Sequence, residues 1–577
     1  MPFGIGDLAT LPTPGAAIQR IVEVDGRELP EDVDSQIESV AVVDRLAMPD
    51  TFTIVFRDPD RDVLGRAGCE VGKKVTISTA ALSEDVPEPL IEGEITSIEA
   101  DYDSLGSRAV VRGYDLSHRL NAGRRTQTFQ NVKYSDIARQ IAKEAGLTPE
   151  VDESEGTFEH VIQPNQSDLD FLLGTAKRIG FDCRVEGETL KFVKPTESST
   201  GPGEGDFVST SPVQLVWNHN LLEFRARMSA AAQVADVKVR GWDADKKEAV
   251  IGQASVSATN ADLSTKPGEL ADRIGGRTLV VVDRSVPTQE AADALAAAHA
   301  EQVGSAAFEA IGVAIGSPAL KAGVAVSVTG VDPKLEGKWV VSSSRHEFGD
   351  GSYRTTIECT GRQDRSLHGV VTNGLASGTG GGTGDTARQT GLVIAIVTNN
   401  DDPDKRGRVK LAYPWLSDDV ESYWARVAMP GAGADAGMVW IPQVGDEVLV
   451  GFEHGDIRWP YVLGGLWNGK DAAPLGDALF KEGKVKRSGF VSRKGHQVLF
   501  FDDDDASGIA LLSQDGKFKV SLNETKGQLH IKADGKLVIE AKSLEIKVDT
   551  EAKLEAASVG IEASGQTTIK GATVAIN

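Results

Sequence analysis

Near the C-terminal end of this chain, apolar residues come in triplets spaced two apart: Leu529-Ile531-Ala533, Leu537-Ile539-Ala541, Leu544-Ile546-Val548, Ala552-Leu554-Ala556 and Val559-Ile561-Ala563. A weaker Thr567-Ile569 and a final Val574-Ile576 follow. The triplets begin at 529, 537, 544, 552, 559, 567 and 574, so the steps alternate between eight and seven residues. Spacing by two is the period of a β-strand with one buried face. Lys532, Glu540, Glu545, Lys547, Glu555 and Glu562 fill intervening positions and give the other face its charge. A fixed period of about fifteen residues per strand pair marks a repeat architecture, here a stack of short strands over 529–577.

A lone copy of such a stack leaves every strand edge open. Three copies wound together bury all inner faces in one seam and pair strands between chains. The expected seam is Leu529, Ile531, Leu537, Ile539, Leu544, Ile546, Val548, Leu554, Val559, Ile561 and Ile569. A single-chain β-solenoid is the alternative, although about fifteen residues per turn leaves it a thin core.

The preceding chain changes period several times. Residues 15–125 read as strands: Val22 and Val24 lead into an Asp25-Gly26 turn, and Phe52-Ile54-Phe56, Val75-Ile77 and Ile91-Ile95 alternate, as in a barrel or sandwich. Between 126 and 200 the period becomes helical. Tyr134, Ile137, Ala138, Ile141, Ala142 and Ala145 share one helix face, and Gly146 follows as a stop. Ser167 to Asp170 has the spacing of a capping box ahead of Leu169, Leu172, Leu173 and Ala176. Arg184 to Phe192 reads as a hairpin. Strands return over 201–365, with an alanine-rich helix from about Gln289 to Gln302.

Six glycines between Gly374 and Gly384 mark a linker over 366–390. The run 391–474 then packs four or five strands with Gly and Asp turns into about eighty residues, the pattern of a small OB-type barrel. Neck strands are expected over 475–528, as in Val498-Leu499-Phe500-Phe501 and Ile509-Ala510-Leu511-Leu512. The fold class is mainly β with a small α+β insert, an OB-fold and an intertwined trimeric β-helix.

Composition narrows the partners. Net charge is −24, and a trimer carries three times that, which opposes nucleic acid and anionic lipid. No eighteen-residue apolar run occurs. Met1-Pro2-Phe3-Gly4 lacks the basic and apolar regions of a signal peptide, so synthesis in the cytoplasm without one is expected. Cys69, Cys183 and Cys359 stand far apart with no CxxC and read as reduced, buried thiols.

Chemical motifs fail on inspection. His346-Glu347 lacks the second His of HExxH, since Asp350 stands there, and His346 reads as a partly exposed strand residue. Gly464 to Lys470 begins like a P-loop, but Asp471 replaces the Ser or Thr and Pro474 opposes a helix. Asp502 to Asp505 and Asp402 to Gly407 both depart from the EF-hand ligand pattern. No catalytic residue, cofactor or metal ligand is assigned, and the expectation is a protein without enzyme activity.

Within 391–474, Arg408-Val409-Lys410, Pro414-Trp415, Tyr423 to Val427, Pro442 to Val450 and Gly455-Asp456 closely resemble the OB domain of VgrG and phage baseplate spike proteins. Tyr134–Gly146, Ser167–Phe181 and Leu335–Cys359 resemble the hub of the phage late-control D family. The resemblance implies hub barrels at 1–125 and 201–365 around the 126–200 insert, an OB collar and a 529–577 needle. It implies a trimeric central spike that caps the inner tube of a contractile injection system and punctures the target envelope when the sheath contracts. It is similar to spikes of extracellular contractile particles, with a type VI secretion VgrG spike as the alternative and a cell-wall hydrolase or glycan-binding OB protein as a further one. Implied partners are the inner tube or its initiator, baseplate subunits, effector cargo, the target membrane on firing, and a PAAR-type tip protein. The tip would sit on Val574, Ile576 and Asn577. The implied location is the baseplate of an extracellular or cytoplasmic particle.

Overall fold

Alternation at Phe52, Ile54 and Phe56 puts three rings and branches on one face of the strand Thr51–Arg57, and all three are fully buried. The computed structural model describes residues 18–81, 87–104, 106–203, 211–349, 351–361, 389, 391–504 and 506–575. The chain is mostly β, and it divides into one unit over 1–466 and a second over 467–577.

In the first unit, strands from both expected hub barrels join one eleven-stranded sheet. The join is the antiparallel pairing of Ile37–Arg45 with Ser343–Gly349, which sets His346 opposite Val42. Two cores flank it, one around Val40, Phe52, Ile77 and Val111, the other around Phe308, Val326, Trp339 and Ile357. The Asp25-Gly26 turn closes the first hairpin with both residues at positive φ, 49° and 71°, the backbone that this two-residue turn requires.

The insert folds as its period predicts. The helix Tyr134–Glu144 buries Tyr134, Ile137, Ala138, Ile141 and Ala142. Ser167 caps the helix Asp168–Ile179 by accepting from the Asp170 amide at 3.1 Å, and Gly180 ends it at φ 74°. The hairpin Asp182–Glu186 with Thr189–Val193 completes this small core with Leu190 and Phe192. The alanine-rich helix runs Gln289–Ser305 and packs Ala292 and Ala296 against Val239 and Val250.

Five strands make the collar sheet, in the order Lys410–Ala412, Val393–Asn399, Glu447–Phe452, Pro460–Gly465, Arg426–Val427. Ala395, Val397, Leu411, Tyr413, Val448, Val450 and Val462 fill its interior. The expected linker lies outside the described residues except for Gln389, whose amide donates to the Gly455 carbonyl at 2.8 Å.

The second unit contains an antiparallel meander of five strands in chain order: Arg487–Val491, Gln497–Asp503, Ala506–Leu512, Phe518–Asn523 and Gln528–Ala533. Beyond it, no strand forms among the described residues 534–575.

Candidate assembly surface

The meander carries large apolar side chains on its exposed face. Register aligns Phe490, Val498, Leu511, Val520 and Ile531 in one cross-strand row, and Phe500, Ile509, Leu522 and Leu529 in the next. Their exposures run from 38% at Val498 to 60% at Leu529. On the opposite face Leu499, Ala510 and Ser521 are buried. A patch of this kind is a candidate interface, because exposed apolar area gains free energy only when it is removed from water.

The expected seam residues continue the same stripe. Leu537, Ile539, Leu544, Ile546, Val548, Leu554, Val559, Ile561 and Ile569 are all exposed, Ile546 and Leu554 at 76%. One chain brings none of them together into a core. Of the expected tip residues, Val574 is exposed, while Ile576 and Asn577 lie outside the described residues.

Sequence reasoning missed the clasp between insert and collar inside the first unit. The Tyr134 hydroxyl accepts from Arg178 Nη1 and Arg458 Nη1, both at 3.2 Å. Burial raises the phenol pKa, but the two guanidinium charges outweigh it and hold it below the ordinary tyrosine value. Asp456 accepts from Arg458 Nε at 2.9 Å, and despite burial that neighbour holds its carboxyl at about 2. Ile162, Val420 and Ile457 pack beside the clasp, and Glu159 accepts from the Tyr423 hydroxyl. The cavity there is about 40 Å³, far below the few hundred that a metabolite needs. The clasp is a joint. Tyr134 was legible only as one member of a helix face.

The rejected motifs resolve into structure. Asp402 is buried and accepts from the Asp404, Arg406 and Arg408 amides and from Arg408 Nε and Nη2, the last at 2.7 Å. Arg408 thereby occupies the place a cation would take. Asp503 pairs with Arg487 and Asp504 with Lys486, so these carboxylates point to separate cations. Asn468 accepts from the Lys470 and Asp471 amides at 2.9 and 2.7 Å in a plain turn, where the P-loop likeness began. His346 corrects the expectation of partial exposure. It is buried, with Nε2 3.2 Å from Ser344 Oγ and Nδ1 2.9 Å from Tyr353 Oη. Burial and the Lys321 charge push its pKa down to about 3. Alternation on the next strand brings Tyr353 and Thr355 over it, which one strand's sequence does not reveal. The three thiols are buried as expected, Cys69 raised to about 11 and Cys183 and Cys359 to about 12 by desolvation.

Known proteins resemble this chain in parts. Residues 16–350 match the family described as the Alg8 N-terminal domain. Residues 393–467 match the type VI secretion system/phage-baseplate injector OB domain. The type VI secretion system spike protein VgrG3 of Vibrio cholerae is 35% identical over 113 residues, 19% of this chain and 11% of that protein. The actin cross-linking toxin VgrG1 of the same species is 30% identical over 146 residues, 25% of this chain and 13% of its own length. The matched stretches thus span little more than a tenth of these relatives. Among solved structures, a chain of the Francisella PdpA–VgrG complex in its lidded form aligns with TM-score 0.51 at 10% identity, covering 89% of this chain and 80% of that one. In sequence motifs and in fold, the chain is VgrG-like.

Proposed function

The chain belongs to the family of the Alg8 N-terminal domain, and from that premise and its VgrG-like character we propose that it is the trimeric central spike and hub of a contractile injection system. One observation carries the reading. An apolar stripe spaced by two runs from Leu529 to Val574, its large side chains exposed, with no strand of its own beyond Ala533 among the described residues. Two further copies supply what it lacks, strands to pair with and apolar faces to pack against.

The role is mechanical. The body caps the inner tube and meets baseplate subunits. Sheath force passes through hub, collar and interlocked needle strands to the tip, which punctures the target envelope. Interchain ladders break together or not at all, which stiffens the needle along its axis. Val574, Ile576 and Asn577 form the blunt end on which a PAAR-type tip protein sits, and effector cargo rides with the spike. No step requires enzyme chemistry by this chain.

Native mass spectrometry tests the trimer: three copies are expected, and a well-folded monomer in dilute buffer, unchanged by Ile546→Asp, would end this reading. Removal of residues 572–577 should abolish capture of a tip protein while leaving the mass of the assembly unchanged apart from the deletion. The names of the curated relatives favour a type VI spike as the second reading. Isolation of the chain on a free extracellular particle, or only on a cell-anchored one, separates the two. Peptidoglycan digestion by the purified chain would instead support the hydrolase reading.

A further inference from the structure

The neck differs from the needle in one respect that bears on assembly. Its five-strand ladder is complete within one chain, every inner strand paired on both sides. The needle forms no ladder of its own among the described residues 534–575. Yet the neck leaves one apolar face uncovered: Phe500, Ile509, Leu511, Val520 and Leu522 face outward, while Leu499, Ala510 and Ser521 are covered. We propose that this outward face is the seat on which three copies of the chain first join, making the neck the nucleus that sets the register of the needle.

The occupant follows from continuity. Leu529 and Ile531 close the two cross-strand rows and also open the needle stripe. Whatever covers the needle therefore also covers the neck, and under the trimer reading, on which this inference rests, that is another copy. Charge agrees. Each chain carries −24, so copies repel at most surfaces. The two rows contain no charged residue, whereas Lys519, His530 and Lys532 alternate onto the opposite face. Three apolar faces can close on one another without a like-charge contact. A patch without Lys, Glu or Asp at its centre is the usual composition of an interface core.

Order of events follows from entropy. Three separate needles, none with a ladder of its own, must fix the backbone at every residue before any interchain ladder rewards them. Three preformed sheets lose little on docking. Once docked, they hold the needle segments at high effective concentration and in one register. Spacing by two makes that register consequential, since a slip of one residue turns every apolar side chain outward.

The test uses the full chain and two single substitutions. Val520→Asp alters the neck face at a side chain 40% exposed in one copy, and Ile546→Asp alters the needle. Sedimentation velocity reads the mass, circular dichroism reads the β content, and trypsin cleavage at Lys536, Lys542 and Lys547 reads needle formation. Val520→Asp should be monomeric, with the β signal of the body and meander kept and the needle lysines cut. Ile546→Asp should remain trimeric and be cut only near the altered needle. Val520→Thr, which keeps the β-branched shape, should weaken association without loss of β signal and guards against misfolding of the Asp variant. A trimeric, protected Val520→Asp, or a monomeric Ile546→Asp, overturns the nucleus. A monomeric parent chain overturns the trimer reading beneath it.

Discussion

Replacing Asp115 by Asn should stabilise the body at neutral pH, against the usual cost of altering a buried, hydrogen-bonded group. Asp115 lies 3% exposed near Asp44 and Asp50, where the first hub core meets the insert and the 320–323 loop. Its Oδ1 accepts from the Ser117 amide at 3.1 Å, and its amide donates to the Asp50 carbonyl at 3.0 Å. Asp44 accepts from the Ala322 amide at 2.8 Å, and Arg184 packs against Gly323. Burial raises all three carboxyls, and the charges of Asp44 and Asp115 push Asp50 up further. For Asp115 the rise is from 3.8 to about 6. A carboxyl whose pKa is higher folded than unfolded stabilises the fold below the unfolded value, and that contribution is lost as pH rises through the folded one. The window is therefore pH 3.8 to about 6. A rise of about two pKa units is worth about 3 kcal/mol. Asn keeps an acceptor for both the amide and the hydroxyl of Ser117 but weakens those bonds by about 1 kcal/mol together, leaving a net gain of about 2 kcal/mol at pH 7. Calorimetry of the full chain, parent against Asp115→Asn, isolates this group from carboxylates of opposite sign such as Asp456. The difference in melting temperature should be small and against the variant at pH 4, then climb in its favour between pH 4 and 6. A difference independent of pH, or one that turns against the variant as pH rises, would refute the reasoning.

Other substitutions test other joints. Asp402→Ala leaves Arg408 with only the Asp404 carboxylate and strips three amides of their acceptor, so unfolding in denaturant should show the collar weakened by about 1–3 kcal/mol. Gly508 sits at φ 152° with the Leu522 carbonyl oxygen 1.9 Å from where a Cβ would stand. Gly508→Ala should therefore disrupt the meander, lowering the strand signal in circular dichroism and, on the proposed assembly, the yield of trimer with it. Tyr134→Phe removes the acceptor between Arg178 and Arg458. It should cost about 1–2 kcal/mol, and protease cleavage between insert and collar should accelerate while the helix signal is retained.

Much of this protein was legible along the chain. Period two at Phe52-Ile54-Phe56, period 3.6 at Tyr134 to Ala145, the Ser167 cap and the Gly180 stop each state a local preference that the fold keeps, because caps, turns and amphipathic faces are decided within a few residues. The alternation from Leu529 onward is as plain in the sequence, but beyond Ala533 the described residues form no strand within one chain, so what that stripe folds into is not decided locally. What tertiary structure alone decided lies where distant segments meet. Strands 37–45 and 343–349 share one sheet, Arg458 reaches Tyr134 across 324 positions, and Tyr353 closes over His346. The exposed neck face is of that kind too: a strand's alternation says which residues share a side, but only the finished fold decides which side stays in water.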